Sequence, residues 1–131
     1  MTAERDSQIN NKILIVDPDL VLREFYERVL ANLGYDAISV ASGKEALSLL
    51  QTPQFACALV ILDMFAPIAS DWKVLTFIRA TPGLHDKPVI AITDAALGKA
   101  AIDKLHELCN DVILKGDFDM TRFSTAIRQV L

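Results

Sequence analysis

Side chains able to do chemistry stand where four apolar runs of this chain end. Asp17, Pro18 and Asp19 follow Lys12-Ile-Leu-Ile-Val16, and Asp63 follows Ala58-Leu-Val-Ile-Leu62. Thr93 follows Pro88-Val-Ile-Ala-Ile92, and Lys115 follows Val112-Ile-Leu114. If the runs are parallel strands of one sheet, these residues meet beyond the strands' carboxyl ends, where open parallel sheets bind ligands. A lone Asp there caps a helix, and a lone Thr or Lys means little. All of them in the same edge position form a constellation. Clustered carboxylates repel each other unless a hard cation such as Mg2+ sits among them, taking carboxylate and carbonyl oxygens and waters. A hydroxyl and an ammonium opposite that ion would hold the remaining oxygens of a phosphoryl group. One carboxylate can then act as nucleophile and become an acyl phosphate, whose added charge neighbouring elements read as a switch.

The elements that must position these residues alternate along the chain. Residues 1–11 lack an apolar period and read as a flexible lead-in. A strand over Lys12–Val16 precedes a helix over Asp19–Leu33, with Val21, Phe25, Val29 and Leu33 at helical spacing and Leu22, Tyr26 and Leu30 alongside. Gly34 follows where a helix prefers its C-terminal glycine. Further strands are expected over Ala37–Ala41, Ala58–Leu62, Pro88–Ile92 and Val112–Leu114. The intervening helices are expected over Lys44–Gln51, Asp71–Arg79 and Leu97–Leu108. A last helix runs from about Met120 to the end, with Phe123, Ile127 and Leu131 on one face. Strands apolar on both faces, alternating with helices, specify an α/β fold: a doubly wound, five-stranded parallel sheet of flavodoxin-like order 2-1-3-4-5.

Composition narrows the function. The 131 residues fit one domain, 52% are hydrophobic, and 13 basic against 17 acidic side chains leave a net charge of −4. No basic block suits nucleic acid, so direct binding to it is not expected. The longest apolar run, Phe55–Leu62, covers eight residues, whereas a membrane span needs about 20. The polar start, Met1-Thr-Ala-Glu-Arg-Asp-Ser-Gln, lacks a signal peptide's apolar stretch. Cys57 and Cys109 read as two reduced, packed thiols. A soluble cytoplasmic protein is the expectation.

With these motifs in view, the chain resembles the receiver domain of two-component response regulators from about residue 12 to residue 131. The resemblance is carried by Ile13-Leu-Ile-Val-Asp17, Leu59-Val-Ile-Leu-Asp63 with Pro67 four residues on, Val89-Ile-Ala-Ile-Thr93 and Asp111-Val-Ile-Leu-Lys115. It implies that Asp63 is the phosphoacceptor, Thr93 the switch hydroxyl and Lys115 the phosphate-pairing lysine. It further implies that Asp17 and Asp63 hold Mg2+ with the backbone carbonyl of Phe65. The implied partner is a sensor histidine kinase or phosphotransfer protein, and the implied dimer face is the fourth helix, fifth strand and fifth helix, around Lys104, Glu107 and Val112. An output domain does not fit within this length, so action is expected to pass through contact with something else or through a further part of the chain. The implied role is a signalling switch rather than a turnover enzyme.

Five positions depart from the family's pattern. Pro18 stands where a second adjacent acid, a direct metal ligand, is usual, so Mg2+ binding should be weakened. Asp19 is a candidate substitute, although capping the first helix suits it better. Asp94 stands where a small residue usually follows the threonine, and it would repel a phosphoryl group unless it turns away to cap a helix. Val112 has no ring to swing inward at the aromatic switch position. Gly116 replaces the usual proline after the lysine. Ser70-Asp71 replaces a common Asp-Gly, and Asp71 reads as a cap of the third helix. In addition, the bulky Phe65 would shield an acyl phosphate from water.

These departures keep a second function open, a degenerate receiver acting as a phosphorylation-independent interaction module. A remote third rests on Asp17-Pro-Asp19-Leu-Val21, which resembles the DxDx(T/V) opening of haloacid-dehalogenase-type phosphatases, with Asp17 as nucleophile and Asp19 as acid/base. The later acid pair of that family is missing, and Asp63 would have no role. A flavin site is weaker still, since the first loop is acidic where a phosphate needs amides.

Overall fold

The computed structural model describes residues 12–64 and 69–131. Among these residues, β1 (Lys12–Val16), β2 (Asp36–Val40), β3 (Leu59–Met64), β4 (Val89–Thr93) and β5 (Asp111–Leu114) form one parallel sheet in the order β2-β1-β3-β4-β5. Helices α1 (Leu20–Asn32), α2 (Gly43–Leu50), α3 (Ala69–Ala80), α4 (Lys99–Leu108) and α5 (Met120–Val130) alternate with the strands. The expected doubly wound sheet is therefore observed.

Side chains alternate across each strand, so β1, β3 and β4 feed two cores. Leu14, Val16, Val60, Leu62, Val89 and Ala91 pack with Ala46, Val74, Leu75, Ile78 and Leu105 of α2, α3 and α4. Ile13, Ile15, Leu59, Ile61, Ile90 and Ile92 pack with Tyr26, Val29, Leu30, Phe123, Ala126 and Ile127 of α1 and α5. Each fully buried aliphatic side chain contributes about 1.5–3 kcal/mol relative to exposure, which is why these strands hold their register.

That register positions the site. Val16 aligns with Leu62, which sets Asp17 beside Asp63. Asp63 aligns with Ile92 and Met64 with Thr93. Thr93 aligns with Leu114, so Lys115 lies one step beyond it. Asp63 is thus the next-to-last residue of β3 and Thr93 the last of β4, rather than the residues after those strands.

Several expectations need correction. On α1, Val21 is 72% exposed, and Phe25 and Leu33 also face outward. The buried stripe is Tyr26, Val29 and Leu30, because it is this side of the helix that lies on the sheet. Leu131 is likewise exposed. The fourth helix begins at Lys99, not Leu97, since Gly98 adopts φ +97° and separates it from a short 3-10 turn over Ala95–Leu97. Asp71 lies inside the first turn of α3 and is buried, rather than standing ahead of the helix as a cap. Val112 is buried in the α2–α4 core and is not presented on an outer face. The lead-in, residues 1–11, falls outside the described residues.

Local chemistry fixes the helix starts. Asp19 accepts from the amides of Val21 at 2.9 Å and Leu22 at 3.3 Å. Ser42 accepts from Glu45 N at 3.2 Å while the Glu45 carboxylate accepts from Ala41 N at 3.1 Å, a reciprocal cap for α2. Gly43 is required by packing: a Cβ there would lie 2.5 Å from the Ser70 carbonyl oxygen and 3.0 Å from Asp71 N. The start of α2 therefore abuts the first turn of α3.

Candidate functional site

At the carboxyl end of the sheet a cavity of about 300 Å³ is lined by Asp17, Pro18, Asp19, Leu22, Asp63 and Lys115. Asp17 is 1% exposed and Asp63 2%. Asp17 Oδ1 accepts from Asp19 N at 2.8 Å, and the Asp17 carbonyl accepts from the Arg23 guanidinium at 2.8 Å. Lys115 Nζ, reaching in from beyond β5, forms an ion pair with Asp63 Oδ2 at 3.1 Å. Asp17 Oδ2 and Asp63 Oδ1 are buried without a hydrogen-bond partner among the described residues.

Buried acceptors left in that state cost about 1–3 kcal/mol each, more when charged. The electrostatics record the cost. Burial, and then the adjacent Asp17, push the Asp63 carboxyl up to about 7, with Lys115 opposing. The negative field reaches the Tyr26 phenol on α1, which burial raises first and Asp63, Asp17 and Asp19 raise further.

Thr93 is fully buried, and its hydroxyl donates to the Met64 carbonyl at 2.7 Å. It does not line the cavity. The structure thus brings Asp17, Asp19, Asp63 and Lys115 together and turns the Thr93 hydroxyl onto the backbone beside them. Asp19 lines the cavity but commits Oδ1 to its cap. Asp94 is exposed and accepts from Ala96 N at 2.8 Å, which turns its charge away as a cap. Phe65 and Pro67 lie outside the described residues.

Sequence reasoning missed the burial of Asp71, which does not line the cavity. It is 6% exposed, and burial followed by the charge of Asp17 pushes its carboxyl up to about 6. A signal was present: Asp71, Val74, Leu75 and Ile78 share one helical stripe, and the other three are core residues.

Elsewhere the chemistry is quiet. Cys57 is buried and its thiol is raised by burial; Cys109 is half-buried, and burial pushes its thiol up to about 12. Both are poor nucleophiles, as packed reduced thiols should be. Among the described residues no three His, Cys, Asp or Glu side chains stand close enough to grip one metal ion, and no helix is long and apolar enough to cross a membrane. On the face around α4, Lys104 and Glu107 are exposed and pair at 3.8 Å. Asp111 and Arg122 form a bidentate pair at 2.7 and 2.8 Å.

Comparison with known proteins adds a family. The response regulator receiver domain model matches residues 13–128. The probable transcriptional regulator ycf27 of Porphyridium aerugineum is 32% identical over 92% of this chain and 48% of its own length. The protein of that name from Cyanophora paradoxa is 32% identical over 95% of this chain and 50% of its own. The chain therefore spans about half the length of the curated relatives it matches. Among solved structures, the receiver domain of a signal transduction histidine kinase from Syntrophus aciditrophicus superposes with a TM-score of 0.80 at 23% identity, covering 92% of this chain and 89% of that one. The response regulator TrrA from Thermotoga maritima, solved in complex with Mg2+ and BeF, gives 0.76 at 25% identity, covering 92% and 99%.

Proposed function

The chain belongs to the response regulator receiver family of two-component signalling, and on that premise we propose that Asp63 accepts a phosphoryl group from a sensor histidine kinase or phosphotransfer protein. One observation carries this reading: a buried strand carboxylate faces a single lysine at 3.1 Å, has a second carboxylate beside it, and opens onto a cavity. Such a group is costly to keep unless a ligand completes it. Receiver domains are signalling modules, generally not turnover enzymes. The capping role of Asp19 also leaves the phosphatase alternative without a free acid/base.

Receiver domains generally bind Mg2+, and the orphaned oxygens of Asp17 and Asp63 suit a hard cation. Those two carboxylates would hold it, with the Phe65 carbonyl that the family resemblance implies. When bound, the ion neutralises charge on the transferring phosphoryl oxygens. The rest falls to this chain's own residues. An Asp63 oxygen attacks the phosphorus, the bond to the donor breaks, and an acyl phosphate forms. Lys115, already beside Asp63, pairs with a phosphoryl oxygen. The Thr93 hydroxyl leaves the Met64 carbonyl and donates to another, and this rotation is the switch read at the surface. We assign the receiver unit to residues 12–131 in the cytoplasm. Its contacts are with proteins rather than nucleic acid or membrane, and include a second copy through α4, β5 and α5.

A second reading, the phosphorylation-independent interaction module, is favoured by one specific feature: Pro18 lines the cavity where a carboxylate would strengthen the cation site. Incubation with acetyl phosphate and Mg2+ separates the two. The wild type should gain a phosphoryl mass shift that Asp63→Asn lacks. No shift, together with no response to beryllofluoride, would favour the interaction module.

A further inference from the structure

We propose that Arg23, near the start of α1, is a positioning residue of the cation site: its guanidinium clamps the Asp17 peptide and so keeps the Asp17 carboxylate presented to the cavity beside Asp63. The inference deepens the reading of Asp17 and Asp63 as the cation site and rests on it.

The loop from β1 to α1 is Asp17-Pro18-Asp19, and Pro18 at its centre has no N–H with which to hold itself. Other groups hold it. Asp17 N donates to the Val40 carbonyl of β2 at 3.1 Å, and Asp19 N donates to Asp17 Oδ1 at 2.8 Å. Arg23 grips the loop at both ends. Its amide donates to the Asp19 carbonyl at 2.9 Å, and its Nη1 donates to the Asp17 carbonyl at 2.8 Å.

The Asp17 carbonyl lies in the planar peptide that leads to Pro18. Fixing that carbonyl fixes the direction of the chain, and with it the place of the Asp19 amide that occupies Asp17 Oδ1. Oδ2 is the oxygen left for a ligand. Arg23 itself does not line the cavity, so it acts through Asp17. It forms no ion pair among the described residues, so its contribution here is the hydrogen bond rather than a neutralising charge. A guanidinium near the site repels a cation. Charge and position therefore predict opposite signs when the arginine is removed.

The test is titration of the full chain with Mn2+ at pH 8, following free Mn2+ by electron paramagnetic resonance. Wild type should bind, and Asp63→Asn should abolish binding. Arg23→Met, which keeps the stem, should weaken binding about tenfold, as losses of groups that orient metal ligands do. Arg23→Lys keeps a donor but not the fork, and should lose about threefold. With acetyl phosphate as donor, the Mg2+ concentration for half-maximal phosphorylation of Arg23→Met should rise by a similar factor. Its rate at saturating Mg2+ should match the wild type, a split that a general loosening of the fold would not give.

Unchanged or tighter binding in Arg23→Met overturns the proposal alone. So does a lowered rate at saturating Mg2+, or Arg23→Lys binding no more tightly than Arg23→Met. If Arg23→Met does not fold, Arg23→Lys decides: a threefold loss supports the proposal and wild-type affinity overturns it. Absence of binding by the wild type, or binding unchanged in Asp63→Asn, overturns the cation site itself and this inference with it.

Discussion

Asp63 on β3 and Asp111 on β5 are both strand carboxylates facing one basic side chain, and their surroundings drive them in opposite directions. Asp111 receives both arms of Arg122 at 2.7 and 2.8 Å, accepts from Val112 N at 2.8 Å, and keeps partial contact with water. Its carboxyl is held below the usual range, first by the Arg122 hydrogen bonds. Asp63 is buried against one lysine and a second acid, and its carboxyl is pushed up to about 7. Charge type is the same in both places; partner count and burial decide the outcome. The Asp111 pair is complete within the chain, so it can serve the fold. The Asp63 group is not satisfied within the described residues, and the proposed function has a cation and a phosphoryl group complete it.

The comparison can be broken by removing the charge from each side. Asp63→Asn should raise the metal-free stability by about 2 kcal/mol near pH 8, because it deletes a buried and poorly paired anion. A calorimetric scan would show this, and a lower Tm would mean that the Lys115 pair holds the fold. The pH dependence has a definite sign. Folding raises the Asp63 and Asp71 carboxyls, so the folded state binds more protons than the unfolded chain between about pH 4 and pH 7. Metal-free stability should therefore fall as pH rises through that window. Asp63→Asn should flatten most of the fall, a trend that thermal melts at pH 5 and pH 8 would reveal.

Pro18→Asp sharpens the contrast from the other direction. A second carboxylate in the cavity should tighten Mg2+ binding about tenfold and lower the metal-free Tm. Unchanged affinity in a Mg2+ titration would mean that position 18 does not face the ion. Arg122→Ala should have the smallest effect, a loss of about 1 kcal/mol at neutral pH, because the pair is partly exposed. Since the Asp111 carboxyl is lowered on folding, this contribution is present above the unfolded value near pH 4 and vanishes as pH falls through the folded one. Urea melts of wild type and variant would check it, and a difference that persists into strong acid would point to packing by the arginine stem instead.

Much of this was readable in the chain, and the reasons are particular. Strands such as Ile13–Val16 and Leu59–Leu62 are apolar at every position, so only a sheet covered on both faces suits them. The charged residue ending each run marks the sheet edge, which placed Asp17, Asp63 and Lys115 together. The exposed stripe of α1 was not readable: Val21, Phe25 and Leu33 keep helical spacing as well as Tyr26 and Leu30 do, and only docking on the sheet selects between them. Spacing fixes where Thr93 stands at the strand end but not its rotamer, so it does not reveal that the hydroxyl bonds the Met64 carbonyl. The burial of Asp71 was readable only from its spacing with Val74, Leu75 and Ile78, a signal that its charge masked.

The central claim is that the Asp63 carboxylate, paired with Lys115 alone, is kept in reserve for ligands. Thermal unfolding of the full chain at pH 8, with and without Mg2+ plus beryllofluoride, tests it most directly. Ligands that bind only the folded state raise its stability by mass action. The account predicts a clear rise in Tm for the wild type and none for Asp63→Asn. An unchanged Tm in the wild type, or an equal rise in both proteins, would contradict it.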